Sequence, residues 1–222
     1  MSKIWEKQGW HVIGLFLYFS AAIFAQRWNG LIEGSLWKIP TRTWYWLTVL
    51  IPVIHQIYVL IGWRAELYSK WFTKHFGDRS LAVFAIGFIP LFLGRVISLT
   101  FLGIANSNSL LLDPTLRIIL TIVFALPSIY LGYSVAKYFG LKRALGADHF
   151  FPEYRKLPLV REGIFHYTNN GMYLFGFFSL WALAFGLASK AALVTAALNH
   201  AYIWVHYITV EKPDINYIYK QD

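Results

Sequence analysis

Polar side chains with possible chemical roles are concentrated in the last apolar segment of the chain, residues 191–210, and in the glutamate that follows it. On a helix with 100° per residue, four of them share one narrow sector: Asn199, Tyr202, His206 and Thr209. A second stripe, about 100° away, consists of His200, Tyr207 and Glu211. One stripe alone could be a contact between helices, whereas two stripes favour a helix that lines a binding site.

Two further polar positions lie inside apolar segments. Arg95 is the only charged residue well inside one of them. It could snorkel or pair with a carbonyl inside the bundle, or it could clamp a phosphate or carboxylate, and both interpretations stay open. His55 and Gln56 lie in the middle of another segment, where a hydrogen bond between helices is favoured over a substrate contact.

The connection over residues 159–173 is aromatic, basic and rich in amides, and it leads directly into an apolar segment. Its Asn169-Asn170-Gly171 run is typical of a turn and cap at a helix start. Exposed backbone amides at a helix start also attract anionic groups, so a bound group would benefit from the same residues.

Several kinds of site are excluded. The chain has no cysteine, which excludes disulfides, thiolate metal sites and cysteine nucleophiles. His200 and His206 point about 120° apart on a helix and cannot grip one metal ion together, and we expect no metal site. A Gly-x-Ser-x-Gly turn, a dinucleotide fingerprint and a phosphate-binding loop are also missing from the sequence.

The composition indicates that these residues belong to a protein whose surface is in contact with lipid. Hydrophobic residues make up 57% of the 222 residues and charged residues only 14%, whereas a soluble domain has roughly 25% charged residues. The net charge is +9, without a basic run typical of nucleic-acid binding, so we expect no nucleic-acid partner. Positive loops beside apolar spans favour contact with anionic lipid headgroups instead.

Six apolar segments are long enough, or nearly so, to cross a bilayer as helices. They are residues 10–25, 44–63, 81–105, 116–136, 172–187 and 191–210. The short connection between the last two predicts a tight antiparallel hairpin. A cleaved signal peptide is an alternative for the first segment, but residues 23–25 are a poor cleavage site.

The distribution of positive charge predicts the orientation. Fourteen of the 20 Lys and Arg residues lie in the N-terminal stretch, the 64–80 and 137–170 connections and the tail. Positive residues favour the cytoplasmic side, so we expect both termini to be cytoplasmic. We expect a multi-pass protein of the bacterial inner membrane or the endoplasmic reticulum.

The segment from Gly163 to Tyr173, the apolar hairpin and Glu211 together resemble the integral-membrane methyltransferases, which include phospholipid N-methyltransferases and isoprenylcysteine carboxyl methyltransferases. Those enzymes carry Gly-x-Tyr-x-x-x-Arg-His-Pro-x-Tyr, two paired helices and a Glu-Glu pair after the last span. The resemblance covers about the last 65 residues. This chain has Asn169-Asn170-Gly171 in place of Arg-His-Pro, and Lys212 in place of the second glutamate.

The resemblance implies an all-α, polytopic helical membrane protein of about six transmembrane helices, with a C-terminal helical hairpin and a cytoplasmic cofactor pocket. We expect a single domain over residues 1–222, with four spans in 1–136 and the catalytic connection, hairpin and tail in 137–222. It implies S-adenosylmethionine as the cofactor. The residues implied to bind it are Gly163, His166, Tyr167, Asn169, Asn170, Gly171, Tyr173, His200 and Glu211.

The implied reaction is methyl transfer to a lipid-like acceptor in the membrane, in first place a phosphatidylethanolamine-type amine. His206 or Glu211 would accept the proton of the amine. Arg95, Arg161 and Tyr202 would bind the acceptor, the arginines through a phosphate. Two alternatives stay open: a sterol-type reductase, which would use NADPH, and a membrane scaffold without enzymatic activity.

Overall fold

The computed structural model describes residues 3–219, and helices occupy the positions of all six predicted segments. The first four are α1 (Gln8–Ala25), α2 (Thr41–Ser69), α4 (Ser80–Ala105) and α5 (Pro114–Ser134). Together with adjoining turns, these four are long and apolar enough to span a membrane. The chain is therefore an integral membrane protein of the all-α, polytopic class.

The predicted C-terminal hairpin is present. Its first arm consists of α9 (Gly171–Phe175) and α10 (Phe178–Gly186), which together form an apolar helical stretch shorter than the four long spans. The turn ends at Ser189, whose side chain caps α11 (Lys190–His206) by accepting a hydrogen bond from the Ala192 amide. Six membrane crossings therefore remain a prediction, since the first arm falls short of the length of a full span.

The last helix continues past Val210, where the predicted segment ended. A π-helical turn, Tyr207–Glu211, follows α11 directly and leads into α12 (Lys212–Tyr219). A second π-helical turn, Val135–Phe139, extends α5. Such turns are rare and are often found at functional sites.

α11 is the central helix of the bundle. It contacts α1, α2, α4 and α10, while α2 packs along α4 and α5 packs along α10. Pro52 in α2 has no backbone N–H, so the carbonyl of Thr48 lacks its helical donor. The side chain of Asn199 in α11 lies 3.5 Å from that carbonyl oxygen and donates to it. A central position explains why one helix carries polar residues on more than one side.

Short elements close both ends of the bundle. At one end, a pair of two-residue antiparallel strands, β1 (Ser35–Leu36) and β2 (Ile39–Pro40), precedes α2. Asn106 ties this end together, because its amide donates to the carbonyls of Gly30 and Glu33 and its oxygen accepts from the Ala191 amide.

At the other end, called the inner end below, the N-terminal residues, the end of α2, the long connection and the tail meet. Short helices form this end: α3 (Trp71–Phe76), α6 (Leu141–Ala144), α7 (Ala147–Phe150) and α8 (Pro152–Arg155), with 3-10 turns at Lys3–Trp5, Gly77–Arg79 and Gly163–His166.

Arg64, at the inner end of α2, holds the meeting segments together. Its side chain is fully buried and forms an ion pair with Asp214 of α12, at 3.1 Å between Nε and Oδ1. The guanidinium also donates to the carbonyls of Ile4 and Glu6 at 2.8 and 3.0 Å, and to that of Thr209 at 3.1 Å. One buried side chain therefore links the N-terminal stretch, α2 and the tail. The N-terminal stretch from Lys3 and the tail up to Tyr219 lie at the same end of the bundle, as an even number of crossings requires.

Candidate functional site

A cavity of about 390 Å³ extends from the inner end into the helical bundle. Its volume lies within the roughly 300–1,000 Å³ that small-molecule sites occupy. The walls come from α2, α4, the long connection, the first arm of the hairpin and the helix from α11 to α12. The cavity therefore joins the N-terminal helices to the segment that carries the sequence motif.

Buried polar atoms without a hydrogen-bond partner line this cavity. Within residues 3–219, they are both ring nitrogens of His55, Nε of Arg95, Nε2 of His149, Nδ1 of His206 and Oε2 of Glu211. Buried polar groups are nearly always paired in folded proteins. A cluster of unpaired ones around one cavity indicates a place where a ligand or water completes the hydrogen bonds.

Aromatic rings form a large part of the remaining wall. The rings of Tyr173 and Tyr207 lie 5.1 Å apart, and Trp63 stacks on His149 at 4.4 Å. Further rings come from Phe139, Phe165 and Phe177. Aromatic faces attract cations, and cages of such rings bind quaternary ammonium groups. The cavity thus combines an apolar, cation-attracting wall with a small number of polar groups.

Glu211 lies in the π-helical turn and is partly buried, with its open side toward the cavity. Burial is the largest cause of the change in the pKa of this carboxyl, and it raises the pKa. The nearby carboxylates of Asp148 and Asp214 also raise it, while His149 lowers it. The net effect raises the pKa of Glu211 to about 8. Such a carboxyl can exchange a proton near neutral pH.

A buried network of charges adjoins Glu211. His149 lies between two carboxylates, with Nδ1 at 3.0 Å from Asp148 Oδ1 and Nε2 at 3.7 Å from Asp214 Oδ2. Burial disfavours the imidazolium, but hydrogen bonds and charge from Asp148 and Asp214 outweigh burial and raise the pKa of His149 to about 9. The hydroxyl of Tyr219 donates to the second oxygen of Asp148 at 3.0 Å.

Glycine at position 146 lets the connection approach α2 closely. Gly146 has a φ of +85°, and a Cβ at this position would lie 2.6 Å from the ring of Trp63. The indole of Trp63 also donates to the Leu145 carbonyl at 3.2 Å. This contact fixes Trp63 and the following Asp148-His149 pair as one wall of the cavity.

The two polar stripes of the last helix have different surroundings. In the first stripe, Tyr202 and Thr209 hydrogen-bond with the two ring nitrogens of His11 in α1, at 2.9 and 3.1 Å. Tyr202 therefore lies in a contact between helices, outside the cavity wall, and Asn199 contacts α2 as described above. His206 is the member of this stripe that lines the cavity.

In the second stripe, Tyr207 and Glu211 line the cavity. His200 lies farther along α11, where its Nδ1 accepts a hydrogen bond from Trp181 at 3.1 Å and its ring stacks on Phe177 at 5.5 Å. Both catalytic candidates, His206 and Glu211, thus share one cavity with the acceptor-binding candidate Arg95.

The connection contributes three of its predicted residues to the wall: Asn169, Asn170 and Tyr173. Gly163 packs against α5 instead, where the Ser134 hydroxyl accepts from the Ile164 amide at 3.0 Å. Gly171 packs on Ile164 and Phe165. His166, Tyr167 and Arg161 are exposed and lie outside the cavity wall.

Several wall residues carried no sequence signal strong enough to single them out: Trp63, Asp148, His149 and, behind the wall, Arg64 and Asp214. The adjacent Asp148-His149 pair among aromatic residues is the one local cue. Residues 3–219 contain no group of three or more His, Cys, Asp or Glu residues that could hold a metal ion.

Comparison with known proteins gives one match, to the family model described as phospholipid methyltransferase, over residues 116–222. The match includes α5. The resemblance therefore extends beyond the last 65 residues, to which the sequence motifs had limited it, and includes the fourth predicted span. No curated protein and no solved structure matches. The matched segment holds Glu211, His206, His149 and the amides of the connection. Residues 116–222, the carboxy-terminal segment of this chain, are therefore similar to the phospholipid methyltransferase family.

Proposed function

We propose that the chain transfers a methyl group from S-adenosylmethionine to the amine of a phosphatidylethanolamine-type lipid. The observation that carries this proposal is the single cavity that brings Glu211, His206 and the Asn169-Asn170 amides of the family segment together with unpaired buried polar atoms. The family acts on phospholipids and generally uses this cofactor.

The residues of the cavity fit the chemistry of the cofactor. The aromatic wall around Tyr173, Tyr207 and Trp63 suits a sulfonium cation. The amides of Asn169 and Asn170 offer donors and acceptors for the polar ends of the cofactor, and Glu211 can accept from a hydroxyl or an amine. Asparagine can hydrogen-bond where the family has histidine, although it cannot carry a proton.

The bound cofactor supplies a methyl group already activated by its sulfonium. The protein must therefore orient the acceptor amine, exclude water and remove a proton from the ammonium. We assign proton removal to Glu211: an N–H bond of the lipid ammonium breaks, and an O–H bond forms on the carboxylate. A pKa of about 8 places this carboxyl close to the working pH of a proton acceptor. His206 is the second candidate for this role.

We also propose that the inner end faces the cytoplasm. Most of the basic residues gather there, as the positive-inside rule favours. The polar cofactor would then reach Glu211 and the connection from the aqueous side, while the lipid would enter between helices.

Cofactor binding to the purified protein in lipid nanodiscs tests the proposal. Wild-type protein should bind S-adenosylmethionine by calorimetry, whereas Glu211→Gln and Asn170→Ala should lose at least tenfold in affinity. Glu153→Gln, an exposed carboxyl on α8, is the matched control and should bind like wild type. Unchanged affinity in both cavity variants would refute the assigned site. Binding of NADPH in place of S-adenosylmethionine would indicate a reductase, and binding of neither would indicate a scaffold.

A further inference from the structure

The deep end of the cavity carries a positive charge without a negative partner. Arg95 is 5% exposed and lines the cavity. Its guanidinium donates to the carbonyl of Pro52 at 3.2 Å, and its Nε has no hydrogen-bond partner. Among residues 3–219, the ion pairs are those of Arg64 with Asp214 and of His149 with Asp148 and Asp214. Arg95 takes part in none of these.

A lone guanidinium is costly at this place in the fold. Arginine does not lose its proton in proteins, so Arg95 cannot escape the cost by becoming neutral. Arg95 lies 15 residues after the start of α4, or about 22 Å along the helix axis. A charge near the middle of a membrane helix is expensive and marks a functional site unless it is paired. The ring of Phe177, 5.6 Å from the guanidinium carbon, offsets only part of that cost.

Two histidines converge on the same end of the cavity. His55, in the middle of α2, is 3% exposed, and neither of its ring nitrogens has a partner within the described chain. His206 is 2% exposed and leaves Nδ1 unpaired toward the cavity. Each neutral imidazole can donate one hydrogen bond. The deep end therefore offers one fixed positive charge and two further donors, with no carboxylate in its wall.

The acidic and amide groups lie at the opposite end. On the last helix, the stretch of cavity wall from Ile203 to Glu211 measures about 12 Å along the axis, and the wall continues to Tyr219. The Asn169-Asn170 amides and Asp148 belong to the inner part. The deep end is thus purely cationic, whereas the inner end combines the carboxyl groups of Asp148 and Glu211 with the basic side chains of Arg143 and His149.

We propose that the deep end, formed by Arg95, His55 and His206, binds an anionic oxygen group carried by a lipid chain. The phosphate of the acceptor lipid meets this description, and naming it as the acceptor rests on the proposed function. Arg95 and His55 lie on α4 and α2, outside the matched residues 116–222. Two of the three residues that recognise the acceptor therefore lie on the N-terminal helices, while His206 lies in the matched segment.

Bound phosphate at Arg95 also places the reacting amine. In an ethanolamine phospholipid, two carbons separate the phosphate ester oxygen from the amine. An amine at that short distance from the deep end would lie near His206, which is one of its members, and Glu211 follows five residues later on the same helix. The arrangement is consistent with the proton transfer assigned above.

A thermal-stability assay of the protein in detergent micelles tests this site without turnover or cofactor. The probes are dodecyl phosphate, dodecanol and inorganic phosphate. Wild-type protein should be stabilised by dodecyl phosphate and not by the other two. Arg95→Met should lose this increase in Tm, and Arg95→Lys should retain part of it. His55→Asn should need at least three times the concentration of dodecyl phosphate to reach half of the full increase. Arg42→Met, an exposed arginine on α2, is the control and should keep the full shift.

The outcomes separate this site from the proposed function. Equal stabilisation by dodecyl phosphate and dodecanol would refute the anion site, even if methyl transfer were observed. A full effect of inorganic phosphate alone would indicate a free-anion site and refute recognition of a lipid. Loss of S-adenosylmethionine affinity in Arg95→Met, with the dodecyl phosphate shift intact, would assign the arginine to the cofactor. If Arg95→Met does not fold, the lysine and His55 variants decide. A dodecyl phosphate shift without any methyl transfer would refute only the proposed function.

Discussion

Replacing Glu211 by glutamine should make the ligand-free protein more stable at alkaline pH while it impairs function. The folded state raises the pKa of Glu211 from its ordinary value of 4.5 to about 8. A carboxyl whose pKa is raised on folding stabilises the folded state fully at pH values below its ordinary pKa. That contribution is lost as the pH rises from the ordinary pKa through the folded-state pKa of about 8. Wild-type protein must therefore lose stability between pH 5 and pH 9, and Glu211→Gln must avoid this loss.

The magnitude follows from the size of the shift. A rise in pKa of this size corresponds to a loss of about 5 kcal/mol in the free energy of unfolding once Glu211 is fully ionised, which is an upper limit. Glu211 is only partly buried and borders the cavity, so we reduce this limit for screening by solvent and expect about 2 kcal/mol. For a chain of this length, that amounts to roughly 4–8 °C in Tm at pH 9. At pH 4, below the ordinary pKa of 4.5, the carboxyl is mostly protonated in both the folded and the unfolded state, and the two proteins should have nearly the same Tm.

Thermal unfolding in detergent at pH 4, 7 and 9 measures this difference. His149, whose pKa is also raised, destabilises both proteins to a similar extent as the pH increases, so the comparison largely cancels its effect. Glu153→Gln is the matched control and should follow wild type at every pH. Parallel Tm curves for Glu211→Gln and wild type, or a variant less stable at pH 9, would refute the placement of Glu211 in a low-dielectric wall.

Three further predictions concern the same region. Arg64→Met should lower the free energy of unfolding by about 3–5 kcal/mol, because it leaves Asp214 buried without its partner; denaturation of the Arg64→Met/Asp214→Leu double variant should show a smaller loss than the single change. Gly146→Ala should weaken S-adenosylmethionine binding in calorimetry, since the added Cβ would displace Trp63, whereas Gly140→Ala has open space around its Cβ and should bind normally. The kcat/KM of methyl transfer should rise with pH through about 8, as Glu211 ionises, and Glu211→Gln should lose that inflection; a wild-type profile flat from pH 6.5 to 9 would contradict Glu211 as the proton acceptor.

The sequence was sufficient to place the helices. It also singled out Glu211, His206 and Arg95, which the structure brings to one cavity and whose roles stay predictions. Apolar length determines where helices lie in a membrane protein, and polar residues inside such helices are rare enough to stand out. The short turn before Lys190 likewise required the hairpin, which the structure contains.

The surroundings of the polar residues could not be derived from one helix. Helical periodicity shows that Tyr202 and His206 share a face, but the neighbour of each depends on tertiary packing. His11, nearly two hundred positions away, pairs with Tyr202, while His206 borders the cavity. The π-helical turn after His206 also changes the angular spacing on which the stripes were calculated, so the environment of Glu211 required the structure.

The Arg64–Asp214–His149 network was missed for a related reason. Its members come from three segments far apart in the sequence, and each resembles an ordinary charge near a membrane surface. Only folding brings them together and buries them.

Methyl transfer to a defined lipid tests the central claim most directly. Purified protein in vesicles of phosphatidylethanolamine would be given S-adenosylmethionine with a deuterated methyl group, and the lipids would be identified by mass spectrometry. The account predicts deuterated N-methyl phosphatidylethanolamine from wild type and from Glu153→Gln, and at least a hundredfold less from Glu211→Gln. The absence of deuterium from the lipid amine, in protein that binds the cofactor, would contradict it.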